Sequence, residues 1–143
     1  LDEELIVRSS QIHALMPMMQ FSVAPWRVLS SDNLEICRNM ALLHKSMGNE
    51  IYKLAEECAL SGEPMVRNLE YEFPHNGYAF IKDQFMLGKN IMIAPVVQKG
   101  VRSREVEFPE GKWLGDDGEI VSGPAKQTIE VPLSRLPWFR KIL

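Results

Sequence analysis

The feature that most constrains this chain is a change of hydrophobic period halfway along it. From Ile36 onward, Met40, Leu43, Met47, Ile51, Leu54 and Cys58 recur at steps of three or four, the spacing of one face of an α-helix. Asp32 with Glu35 three residues later reads as a capping box, and Gly62 followed by Pro64 reads as a helix stop. One continuous helix over 33–61 is therefore predicted. Gly48 inside it costs about 1 kcal/mol relative to alanine. A shorter helix is predicted over 4–16, where Leu5, Ile6, Ile12 and Leu15 recur, and Pro17 ends it. The start of 17–31 reads as a short buried strand.

Beyond residue 64 the pattern becomes short strands and turns. Strands are predicted over 65–72, 90–97, 103–108, 112–114, 118–121 and 127–133. Asn76-Gly77, Pro109-Glu110-Gly111 and Asp116-Asp117-Gly118 stand between them as turns. Regularly spaced short strands of this kind suggest an antiparallel β-sandwich or open barrel. A strand, a long helix and a second strand form the βαβ unit of a parallel sheet or barrel. One such unit cannot bury both faces of its strands. The α/β part therefore points to a larger barrel.

The chemistry-bearing residues are sparse. Cys37 and Cys58, if on one helix, lie roughly 31 Å apart, too far for a disulfide. Both are expected as small core residues. His13, His44 and His75 lack the spacing of a zinc site, and no metal or cofactor is expected. There is no G-x-S-x-G nucleophile elbow and no phosphate-binding P-loop. Asp83 is the one acid in an apolar setting, and it reads as a structural carboxylate satisfying backbone amides at a turn. Met16, Met18 and Met19 read as core. Trp26 reads as a core or interface anchor, with sugar stacking as the alternative. A formal net charge of −3 excludes a nucleic-acid partner of the usual basic kind. No apolar run approaches the ~20 residues needed to cross a bilayer.

Four blocks, in order, resemble glycoside hydrolase family 31. ELIVRSSQIHALMP carries Glu4, Leu5, Arg8, Gln11, Ala14 and Pro17 in the register of the family's segment after the acid/base residue. SGEPMVRNL is similar to its G-x-P-x-x-R-x-L strand through Gly62, Pro64, Arg67 and Leu69. DQFMLGKNIMIAPVV and SREVEFPEGKWL are similar to two later signatures. The resemblance implies an α/β plus all-β fold: residues 1–70 as the last part of a (β/α)8 barrel with its final two strands, and residues 71–143 as an antiparallel β-sandwich. It implies retaining hydrolysis of α-linked sugars by two aspartates. Neither catalytic motif occurs here, so both aspartates are expected upstream of Leu1, the chain alone is expected to be inactive, and no catalytic residue is assigned.

One site of the family falls within the chain. Where α-glucosidase members read R-N-H, this sequence has Gln20, Phe21 and Ser22, which the resemblance implies as substrate-binding residues. The Gln-Phe-Ser variant followed by Pro25-Trp26 is similar to a divergent branch of the family and leaves the identity of the α-linked sugar open. The expected partner is an oligosaccharide or α-glycoside in the complete enzyme. Unpaired barrel edges would also favour self-association of a fragment. The ending RLPWFRKIL is expected to lie near the C-terminus. The competing reading is a stand-alone carbohydrate-binding or interaction module, which should display several exposed aromatics on one sheet face. Trp113, Trp138, Phe108 and Phe139 are the candidates, and they read better as packing.

Overall fold

The computed structural model describes all residues 1–143 and divides into two compact units, Leu1–Met65 and Val66–Leu143. The first is helical. Helix α1 (Glu3–Ala14) is capped by Asp2, whose side chain accepts from the Leu5 N–H, and buries Val7, Arg8, Ser10, Gln11 and Ala14. A 3-10 turn at Pro25–Arg27 follows, then α2 (Ser31–Ser46) and α3 (Gly48–Ser61). The expected single helix is thus two. Met47 sits at the edge of the right-handed helical region (φ −90°, ψ 0°) just before Gly48, where a glycine weakens a long helix. Hydrogen bonding continues across the break, from Met47 N–H to Leu43 and from Ile51 N–H to Met47. Gly62, at φ +80°, closes α3 in the left-handed cap anticipated for it.

Two further helix-end expectations are corrected. Asp32 lies inside α2 rather than capping it, and Glu35 pairs with Arg38 at 3.3 Å. The α2 N-cap residue is Ser30, whose own side chain makes no capping bond. Glu3 supplies the cap from α1. Its Oε2 accepts from the Ser30 N–H (3.0 Å), the Ser30 hydroxyl (2.8 Å) and the Asn33 amide (2.6 Å). A carboxylate at a helix N-terminus is favoured by the unsatisfied N–H groups there. His44 Nδ1 donates to the Ala14 carbonyl at 3.0 Å and ties the other ends of α1 and α2 together. Cys37 and Cys58 are both buried, and no disulfide joins them.

The second unit is one antiparallel six-stranded sheet of order β1-β2-β3-β6-β4-β5. The strands are β1 (Val66–Arg67), β2 (Phe85–Leu87), β3 (Ile91–Ile93), β4 (Ser103–Gly115), β5 (Ile120–Glu130) and β6 (Trp138–Lys141). The strand expected over 65–72 is cut to two residues. Asn68 accepts from the Tyr71 N–H and starts a short helix, α4 (Leu69–Glu72), instead. The four strands expected between 103 and 133 are two long ones. Asp116–Gly118 is a true turn, locked by Arg135, which donates to Asp116 at 2.9 Å twice and to Asp117 at 3.1 Å. Pro109-Glu110 is a bulge: pairing jumps from Phe108↔Ala125 to Gly111↔Gly123.

The sheet folds into a sandwich through β4. Its C-terminal end pairs with β6, but its N-terminal half extends past β6 and pairs only with β5. Side chains close that free edge. Gln84 donates to the Glu107 carbonyl and accepts from the Glu107 N–H, both at 2.9 Å, reproducing a ladder pair with an amide side chain. Arg104 donates to the carbonyls of Asp83 and Pro95. Between the layers Met86, Met92, Val106, Phe108, Trp113 and Phe139 form the core, with Leu69 and Tyr78 closing one side. Phe108 and Phe139 meet edge to face at 4.8 Å, and the Trp113 indole donates to the Pro109 carbonyl at 2.8 Å.

Two substitutions test this closure. Gln84→Ala leaves both polar groups of Glu107 without their partner and is expected to lower stability by about 1–3 kcal/mol. At Gly123 an added Cβ would lie 1.8 Å from the Pro109 carbonyl oxygen, so Gly123→Ala must displace backbone at the bulge and is expected to cost at least as much. Denaturant unfolding of the two variants beside the parent measures both. Unchanged midpoints would refute the assignment of β4 as the strand on which closure depends.

Candidate functional site

The segment between Pro17 and Ala24 belongs to no strand, although it was expected to begin as one. Its exposure alternates. Met18, Gln20 and Ser22 are exposed, while Met19 and Phe21 are half-buried. Period-two exposure is what an extended chain presents; without a neighbouring strand it forms no ladder. Met18, expected in the core, is 77% exposed for the same reason, and Met16 is only half-buried. Trp26 is also exposed, at 72%, and so is not a core anchor in this unit.

Gln20, Phe21 and Ser22 do line a common cleft of about 430 Å³, together with residues of α1 that include Ile6, Ser9 and His13. Sequence reasoning passed over His13, because isolated histidines carry no spacing signal. The helix period offered the clue, placing Ser9 and His13 one turn apart. The His13 ring is held by Nδ1–H donating to the Ser9 carbonyl at 2.7 Å. Nε2 is then left as the acceptor nitrogen of the neutral ring.

What the cleft can do is bind. Gln20 offers an amide and Ser22 a hydroxyl, a donor and acceptor set suited to hydroxyl groups. It holds no carboxylate, so it cannot perform the two-carboxylate chemistry of sugar transfer. No group of three His, Cys, Asp or Glu side chains in the chain is arranged to hold a metal ion. The Cys37 thiol is not activated: burial raises its pKa, and a hydrogen bond with Ser10 only partly offsets this. Asp83 serves a structural purpose, though not the expected one. Its carboxylate pairs with the Arg104 guanidinium at 3.0 Å rather than with backbone amides. Trp113, Phe108 and Phe139 are buried in the sandwich, as packing residues should be. No helix is long and apolar enough to cross a membrane.

Along the chain, a helical unit is followed by a bulged antiparallel sandwich. Residues 62–142 match the glycosyl hydrolase family 31 C-terminal domain, and the chain belongs to that family. The mouse myogenesis-regulating glycosidase is 36% identical over 121 residues, covering 83% of this chain and 17% of its own length. An alpha-glucosidase of Saccharolobus solfataricus is 41% identical over 87 residues, 58% of this chain and 12% of its own. A Flavobacterium johnsoniae family 31 dextranase, solved with glucose, superposes with a TM-score of 0.88 at 29% identity, over 97% of this chain and 18% of that one. The chain thus spans less than a fifth of the length of these relatives.

The Glu3 bridge at the base of the cleft's helix is open to a pH test. Hydrogen bonds from Asn33 first and Ser30 second hold the Glu3 carboxyl below the ordinary glutamate range. A group whose folded pKa is depressed stabilises above its unfolded pKa and loses that contribution as pH falls through the folded value. Parent and Glu3→Gln should therefore differ in thermal midpoint at neutral pH. The difference should shrink as pH drops below about 4.3, the unperturbed glutamate value. A difference that stays constant down to strongly acidic pH would show that the carboxylate charge plays no part.

Proposed function

We propose that this chain is the C-terminal part of a retaining α-glycosidase whose two catalytic aspartates lie on polypeptide outside it. The observation that carries this reading is the family 31 match over residues 62–142. In the full enzyme, one aspartate attacks the anomeric carbon, and the other protonates the leaving oxygen and then activates water. On this reading the helical residues up to Met65, within the expected span 1–70, are the last part of the (β/α)8 barrel, and the sheet from Val66 onward belongs to its sandwich domain. The alternating, unpaired segment at 18–22 supports this, because it has the form of a barrel strand waiting for neighbours. So does the apolar surface of the helical unit, where Leu5, Trp26, Tyr52 and Leu60 are all at least 66% exposed. Active sites of such barrels lie at the C-terminal ends of the strands, which is where Gln20, Phe21 and Ser22 would stand. The α-glucosidase and dextranase among the relatives favour an α-linked glucan as substrate.

Two measurements test the reading. The chain alone, assayed on aryl α-glycosides, is expected to show no turnover above a blank. In the intact enzyme, Gln20→Ala and Ser22→Ala are each expected to lower kcat/KM by roughly tenfold, about 1.4 kcal/mol of transition-state binding. Wild-type kcat/KM and sugar preference in both variants would make the segment scaffold and remove the site assignment.

A further inference from the structure

The sandwich unit carries a groove that the glycosidase reading leaves unused. A depression of about 510 Å³ lies over the Gln84–Glu107 clamp and the Arg104–Asp83 pair. A second, of about 140 Å³, adjoins it and shares Asp83, Val97 and Arg104. The floor is rigid: Gln84 is buried, and the Arg104 guanidinium is fixed by Asp83 and two carbonyls. On the wall stands Phe80, 89% exposed, the most exposed aromatic side chain of the unit. It is held outward by its neighbours, since Tyr78 belongs to the core and Ile81 packs against it.

The chemistry around Phe80 selects a ligand class. Lys82 and Arg104 face Asp83, Glu105 and Glu107 in the lining, so no cationic surplus exists to recruit a phosphate or a nucleic acid. Lys126 further occupies the carboxylates of Glu107 (2.9 Å) and Glu105 (3.5 Å). What remains is an apolar ring face beside a mixed set of donors and acceptors. That combination fits a molecule with an apolar C–H face and an edge of hydroxyls. We propose that this groove binds a neutral oligosaccharide, one sugar ring lying on Phe80 and its hydroxyls reaching Lys82 and the neighbouring carboxylates. The choice of an α-glucan as that oligosaccharide rests on the glycosidase reading; the chemistry of the groove does not.

Affinity electrophoresis of the intact protein in native gels containing dextran or soluble starch tests the groove without requiring turnover. The parent is expected to be retarded. Phe80→Ala should keep the parent's thermal midpoint and its mobility in a blank gel while binding roughly five- to tenfold more weakly. Phe80→Trp should restore retardation. Should Phe80→Ala fold poorly, Lys82→Ala on the exposed rim is expected to weaken binding in the same assay. Equal retardation of parent and variants would overturn the proposal. So would an unretarded parent, the result expected if another part of the polypeptide covers Phe80. Hydrolysis of aryl α-glycosides without Phe80-dependent retardation removes this inference alone. Phe80-dependent retardation without any hydrolysis removes the glycosidase reading and leaves the groove.

Discussion

The sandwich depends on one amide side chain. A strand as long as β4 cannot be paired along its whole length by the short strand β6, so its N-terminal half presents a row of backbone groups with no ladder partner. Buried backbone groups left unpaired cost about as much as a lost hydrogen bond each. Gln84 meets this need because a primary amide carries a donor and an acceptor in the geometry of a peptide group. Its two bonds to Glu107 bring the segment before β2 against β4. Once that contact is made, Met86, Met92, Val106 and Phe108 face each other and can exclude water. The hydrophobic core supplies most of the stabilisation, but the register in which it assembles follows from the clamp.

The helical unit assembles mainly from local hydrogen bonds. Residues 18–22 alternate in exposure and form no strand. Helices satisfy their own hydrogen bonds, so α1, α2 and α3 form from local sequence and a few bridging contacts such as Glu3 to Ser30 and Asn33. A strand cannot do this.

The same distinction explains what could be read from the sequence. The helix positions were legible because a 3.6-residue period and a glycine cap are local signals: α1, the stop at Gly62 and the absence of strand between 40 and 55 all follow from them. The break at Met47 was not, since Gly48 announces weakness without saying whether the helix yields. In the sandwich, Asp116-Asp117-Gly118 read correctly as a turn, whereas Pro109-Glu110-Gly111, also ending in glycine and also read as a turn, forms a bulge. The difference lies in Gly123 across the ladder, whose missing Cβ leaves room for the Pro109 carbonyl. That fact depends on pairing and is invisible in a window of three residues. Strands β2 and β6 went unread because three or four residues carry too little periodicity to register. Gln20, Phe21 and Ser22, singled out through resemblance, line one cleft with His13, which no local signal joined to them.

The substitution pattern at the cleft has a consequence for any chemistry performed beside it. Arginine and histidine in the family's R-N-H segment bring a fixed cation and a titratable ring to the sugar. Gln20 and Ser22 bring neither. A neutral amide and a hydroxyl can orient a sugar but cannot offset the charge of a nearby carboxylate. If this segment stands beside a catalytic aspartate, that aspartate loses a source of pKa depression and must find another cation on the remaining polypeptide. The shorter Ser22 also leaves space where an imidazole would stand, enough to admit a water or a different ring substituent. Among the residues lining the cleft, Gln20 and Ser22 thus supply neutral hydrogen-bonding groups and no fixed charge.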